Sequence, residues 1–322
     1  MTRYPLIPVD DMQLLTEYDG DPIVIDGPKT FKSISAARGA PTFQFAQWYI
    51  DRVPLFLNGE ARQKLTEFVA ARFAERHEKV SSRAAFTDEQ KSELRSGRKF
   101  NIVDDICEPA VHRVLGLYMI CPESSREYLC NFNAVSFHRE LRHGKFKKLD
   151  AHLAAIFAAT QACEETRRYC DTIPTIIVAR QTLLRMLAMS LDEVFVSCQS
   201  NALEDLQFPV VPPKGSIPYV HRVVPEDLKG IHGVYRKGDV YLCPVSMRIG
   251  ERNPPLLPSF GKGTRACLGR TMAMFIWREI ASDMADLMRQ YIQDGATRFK
   301  IVSPVDFGEF GERPTHGDLR IE

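Results

Sequence analysis

Ser259-Phe260-Gly261-Lys262-Gly263-Thr264-Arg265-Ala266-Cys267-Leu268-Gly269 sets one cysteine inside a glycine-punctuated loop, and a helical pattern follows at once. Leu268, Met272, Phe275, Ile276, Ile280, Met284, Leu287 and Met288 recur at helical spacing and share one face. A sulfur at the start of a helix feels the positive end of the dipole, which favours the deprotonated form that binds metal. Gly261 and Gly263 let the backbone turn tightly and point N–H groups at the sulfur. Gly269 leaves room for the helix to approach a large flat ligand. Arg265, two residues before the cysteine, can pair with an anionic group on that ligand. The competing reading is a buried structural cysteine after a glycine turn, which accounts for Cys267 but not for its neighbours.

Around that loop the composition sets bounds. The chain has 322 residues, 44% of them hydrophobic, and a net charge of +1. That is enough for a large core, and the near-neutral balance argues against a nucleic-acid binder. The 8 cysteines form no C-x-x-C pair, so neither a zinc ribbon nor a thioredoxin-like site is indicated. The start, Met1-Thr2-Arg3-Tyr4-Pro5, has no apolar stretch of signal-peptide type. No apolar run approaches the ~20 residues that cross a bilayer. The expectation is a cytoplasmic protein with reduced thiols and no membrane or nucleic-acid partner.

Along the chain, residues 15–45 mix strand-like pieces such as Pro22-Ile23-Val24-Ile25 with turn signals and read as a small N-terminal sheet. Asn58 is a candidate cap for a helix carrying Leu65, Phe68, Val69 and Phe73. Phe100 to Pro109 leads into an apolar helix that ends near Ile120-Cys121-Pro122-Glu123. Residues 150–170, with Asp150 as candidate cap, and 173–190 read as two more helices. Arg222-Val223-Val224 and Tyr235 to Leu242 read as short strands. Phe299-Lys300-Ile301-Val302 and Asp318-Leu319-Arg320-Ile321 read as a terminal hairpin.

Phe260, Gly263, Arg265, Cys267 and Gly269 together resemble the heme-binding loop of the cytochromes P450, Phe-x-x-Gly-x-Arg-x-Cys-x-Gly. The resemblance extends to Arg222 through Asp227 with Arg236 to Val240, which are similar to that family's Arg-x-x-x-Glu-Asp hairpin. It implies a mainly α fold with small β-sheets: one heme-thiolate domain over 1–322, of the soluble bacterial type. Its cofactor would be heme b, with Cys267 as the iron ligand. Phe260, Gly261, Gly263, Arg265, Gly269 and Arg222 would be the other cofactor contacts, Arg265 and Arg222 at the propionates. A surface arginine in a strand is the alternative for Arg222.

The departures from the family pattern are specific. The chain is short, with truncation expected in the distal helix and in the meander before the cysteine loop. The propionate helix of the family aligns a His and an Arg with Ala61 and Leu65. Arg62 or Lys64 can substitute, although a solvated helix face explains them too. The Glu-x-x-Arg motif falls on Glu165 by letter and on Glu204 by placement, where the arginine is missing. For the acid–alcohol pair over the heme, Thr160, Ser197 and Ser200 are weak candidates, and ordinary helix residues are the simpler reading. Phe43, Phe45, Trp48 and Tyr49 fall where a substrate-recognition loop would lie, and core packing explains them equally.

The resemblance implies an oxygenase acting on a small molecule in a specialised biosynthetic pathway, fed by a ferredoxin or flavodoxin-type reductase. Arg252, Lys262, Arg270 and Arg278 make the docking side basic, which a general solvated surface also explains. Two other readings stay open. One is a peroxide-dependent or non-oxygenating enzyme, an isomerase or dehydratase. The other is a heme sensor or degenerate homologue.

Overall fold

The computed structural model describes residues 4–16, 43–54, 57, 59–80, 86–119, 146–161, 164–168, 170–215, 219–246, 259–260, 266–307 and 314–322. The helices are α1 (Gln13–Thr16), α2 (Gln44–Ile50), α3 (Gly59–Val80), α4 (Asp88–Gly97), α5 (Glu108–Met119), α6 (Phe146–Thr160), α7 (Glu164–Arg168), α8 (Ile173–Ser197) and α9 (Arg270–Gln293). The strands are short: β1 (Lys99–Asn101), β2 (Tyr219–Val223), β3 (Leu228–Lys229), β4 (Val234–Tyr235), β5 (Val240–Pro244), β6 (Phe299–Asp306) and β7 (Thr315–Ile321). They pair antiparallel as one three-stranded sheet, β1-β7-β6, and two ribbons, β2-β5 and β3-β4. The mainly helical reading with peripheral sheets is borne out. The Pro22–Ile25 strand piece and the cap at Asn58 lie outside the described residues.

The helices form where the pattern and the caps agree. The face read from the sequence of α9 is the one that packs: Met272, Phe275, Ile276, Ile280, Met284, Leu287 and Met288 are all buried. At the start of α4, Thr87 accepts from the Gln90 backbone N–H, and the Gln90 side chain accepts from that of Thr87. Asp150 was expected to cap its own helix. It lies inside α6 instead, and its Oδ1 accepts the N–H groups of Phe45 and Ala46, both at 2.8 Å. It therefore caps α2 from another helix. Phe157 completes that contact, with ring centroids 5.5 Å from Phe45 and 5.2 Å from Trp48. Ala46, Trp48, Tyr49 and Ile50 are buried, so core packing is what this aromatic group does.

The centre of the main core is α8, 25 residues long and buried along most of its length. A π-helical turn, Ile102–Cys107, leads into α5 and packs on α8. There Arg180 donates to Glu108 at 2.6 Å, an ion pair between helices with side chains only 11% and 27% exposed. From Cys198 to Gly215 the backbone carries a single 3-10 turn, Leu203–Asp205. A second, smaller core gathers Ile7, Met12, Leu15, Val224, Tyr235, Cys243 and Val245. The N-terminal segment joins it by pairing with β5, through Ile7 N–H to Leu242 O at 3.0 Å and Leu242 N–H to Pro5 O at 2.9 Å. No helix among the described residues is long and apolar enough to cross a membrane.

Candidate cofactor site

Cys267 lies three residues before α9, whose N-cap is Gly269. Its backbone N–H donates to Phe260 O at 2.7 Å, which closes the loop on itself. The N–H groups of Gly269 and Arg270 donate toward the sulfur and favour its anionic form. Burial outweighs them and pushes the thiol above its ordinary value. The residue is nevertheless exposed. Among the described residues, a Cβ added at Gly269 would meet Cys267 Sγ at 3.7 Å. Half-buried Phe260 lies beneath the Arg270 guanidinium, 5.9 Å from the ring centroid. Gly261, Gly263 and Arg265 fall outside the described residues, as do Arg252 and Lys262.

The second feature is a pair of arginines. Arg222 stands on β2 and Arg62 on α3, 160 positions apart in the chain by subtraction of their numbers. Burial lowers the affinity of Arg62 for its proton, and the nearby Arg222 charge lowers it further. Burial does the same to Arg222. Two partly buried cations that feel each other's charge favour a nearby anion. One turn along α3 from Arg62, the Thr66 hydroxyl is buried and has no hydrogen-bond partner among the described residues. Lys64, by contrast, is exposed and pairs with Glu60 at 2.6 Å. The solvated-face reading thus holds for Lys64, while Arg62 is half-buried and feels the Arg222 charge from a distant strand.

The hydroxyl candidates are engaged locally. Thr160 is fully buried and donates to Phe157 O at 2.7 Å. Ser197, the last residue of α8, donates to Val194 O at 3.3 Å. Ser200, beyond the helix, accepts the Ala202 N–H at 3.2 Å. Glu204 is exposed in its 3-10 turn, and the side chain of Glu165 lies outside the described residues. A stripe on α8 went unnoticed in the sequence. Thr175, Val178, Ala179, Thr182, Arg185 and Met189 are half-buried and share one face of an otherwise buried helix. Beside that stripe, the amide nitrogen of buried Gln181 has no partner among the described residues.

No family model matches the chain, and no curated protein is similar to it in sequence. Solved structures are similar to it in fold. CalO2 superposes with a TM-score of 0.68 at 13% identity, over 99% of this chain and 90% of that one. P450BioI, solved in complex with an acyl carrier protein carrying hexadec-9Z-enoic acid, gives 0.67 at 14% identity, over 97% and 90%. CxnD, a cytochrome P450 for C–S bond formation in chuangxinmycin biosynthesis, gives 0.61 at 15%, over 96% and 86%. The chain therefore has the cytochrome P450 fold over nearly its whole length.

Proposed function

We propose that a chain with this fold, and with Cys267 set just before α9, is a heme-thiolate oxidoreductase of cytochrome P450 type. Residues 1–322 would work as one unit that oxidises a small molecule. The observation that carries this reading is Cys267 itself: an exposed residue at a helix N-terminus, with two N–H groups turned toward its sulfur. The residues fit heme b. Arg62 and Arg222 supply permanent positive charge for two carboxylates, and the Thr66 hydroxyl supplies a further donor beside Arg62. Arg265 would add a third cation. Phe260 would pack against the ring edge, and the bare Gly269 would let the ring come close. When bound, the heme supplies the oxidising chemistry, and a thiolate ligand favours O–O cleavage.

The protein's own part is to bind, orient and protect. The Gly269 and Arg270 N–H groups hold the sulfur anionic once it meets a metal charge. On this reading α8 is the helix that crosses the pocket, and its half-open stripe lines the substrate side. P450BioI in its carrier-protein complex and CxnD in a biosynthetic pathway support a biosynthetic substrate. Electrons would come from a ferredoxin or flavodoxin-type partner, with exposed Arg270 and Arg278 on the docking side.

One observation favours a second reading, a peroxide-dependent or non-oxygenating enzyme. Ala179-Arg180-Gln181-Thr182 keeps the spacing of the family's Gly-x-Asp/Glu-Thr, and the amide of Gln181 cannot deliver a proton as a carboxylic acid does. Product formed per NADPH consumed with a surrogate reductase, set beside turnover with added hydrogen peroxide, separates the two. Tight coupling without peroxide activity supports the oxygenase. Peroxide-driven turnover with leaky coupling supports the second reading. Failure of the purified protein to take up heme contradicts both.

A further inference from the structure

Asp11 is a buried carboxylate far from the cysteine loop in sequence, with 1% of its surface exposed. Its Oδ1 accepts the Ile231 N–H at 2.6 Å, and its Oδ2 accepts the His232 N–H at 2.9 Å. The Tyr235 hydroxyl donates to Oδ2 at 2.5 Å. The β3-β4 turn is moulded around this group, since a Cβ at Gly230 would lie 2.5 Å from Asp11 Cγ. From Tyr235 the contact continues inward. Its ring meets Tyr241 edge to face, with centroids 5.1 Å apart at 80°. Tyr241 on β5 lies directly opposite Arg222 on β2. Directly paired residues of an antiparallel ladder point to the same face with Cβ atoms about 5 Å apart. Val220 and Tyr241 on that face both pack against the second core.

We infer that Asp11 is a positioning residue for the cofactor: through Tyr235 and Tyr241 it braces Arg222 beside Arg62, so that the N-terminal segment is part of the device that holds the heme carboxylates. This rests on the heme reading above. Its physical reason lies in the arginine pair. Two like charges on separate elements repel, and a long side chain with an open path would swing into water. Tyr241, opposite Arg222 in the ladder and on the same face, is placed to limit the directions that side chain takes. Tyr241 rests on Tyr235, and the hydroxyl of Tyr235 is anchored by a carboxylate that two backbone N–H groups hold in place.

The test is the rate at which the holoprotein loses heme to an excess of a heme-scavenging apoglobin. Arg222→Ala is expected to speed the loss about tenfold, the usual scale for a charge-assisted hydrogen bond. Asp11→Asn and Tyr235→Phe are expected to speed it severalfold while Arg222 is present. In the Arg222→Ala background they should add almost nothing, and in all variants the ferrous carbonyl band should stay in place. Tyr235→Phe keeps the ring, so it carries the same test if Asp11→Asn folds poorly. Equal acceleration by Tyr235→Phe with and without Arg222 would mean general loosening and overturn the inference. So would unchanged loss in both folded variants. If Arg222→Ala alone leaves heme loss unchanged, the carboxylate cradle itself is wrong, and the brace has nothing to position.

Discussion

Cys267 combines accessibility with a thiol pushed upward by burial, against the pull of two backbone N–H groups. A raised thiol holds less thiolate at neutral pH and reacts slowly. In protein prepared without heme, alkylation by iodoacetamide should therefore be slower at Cys267 than at an ordinary accessible thiol, and should accelerate above pH 9.0, the thiol's reference value. Peptide mass mapping over a pH series checks this, and bound heme should protect the residue. Arg62 carries a second residue-scale prediction. Arg62→Ala should accelerate heme loss, whereas Lys64→Ala should not, because Lys64 is a solvated partner of Glu60. The loop motif made Cys267 legible from its neighbours alone. Arg62 was not legible, since what distinguishes it from Lys64 is the distant Arg222.

At the scale of elements, the contact of α8 with α5 rests on the Arg180–Glu108 pair. Removing one partner of a largely buried pair strands the other charge, while removing both is far milder. Arg180→Leu should destabilise the protein by about 3 kcal/mol, and Arg180→Leu with Glu108→Leu should recover most of the loss. Chemical unfolding of the three proteins measures this. Equal stability of the single variant and the wild type would show that the pair is solvent-screened and contributes little. The element reading of the sequence succeeded where a single helix or hairpin carries its own signal, as in α9 with its one apolar face, and in β6 and β7. It failed at Asp150, which caps α2 rather than its own helix, because the donors it serves come from more than a hundred residues away. It also passed over Gln181, since an amide in an apolar helix gives no signal until burial leaves its nitrogen without a partner among the described residues.

The described residues gather around two cores, and the N-terminal segment 4–16 belongs to the smaller one. Burial acts to raise the carboxyl of Asp11, but the hydrogen bonds from Tyr235, His232 and Ile231 together with the His232 charge hold it below its usual 3.8. The Asp10 carboxylate faces the His232 ring at 3.1 Å on the same clasp. A carboxylate depressed in the folded state contributes stability that is fully present above its unfolded value and is lost as pH falls through its folded value. The unfolding midpoint of the wild type should thus exceed that of Asp11→Asn at neutral pH, and the gap should close below pH 3.8. Urea titrations at a series of pH values check it, and a gap that widens in acid would contradict the assignment. This long-range clasp was invisible in the sequence, where Asp10 and Asp11 read only as early charges.

The central claim is that Cys267 is the ligand of a heme. The most direct measurement is the absorption spectrum of the reduced, carbon monoxide-treated holoprotein, wild type against Cys267→Ser. The account predicts the red-shifted carbonyl band of thiolate-ligated heme in the wild type and its loss in Cys267→Ser, with the band retained when Cys107, Cys170, Cys198 or Cys243 is replaced instead. A wild-type protein that binds no heme, or a Cys267→Ser variant that keeps the red-shifted band, would contradict it.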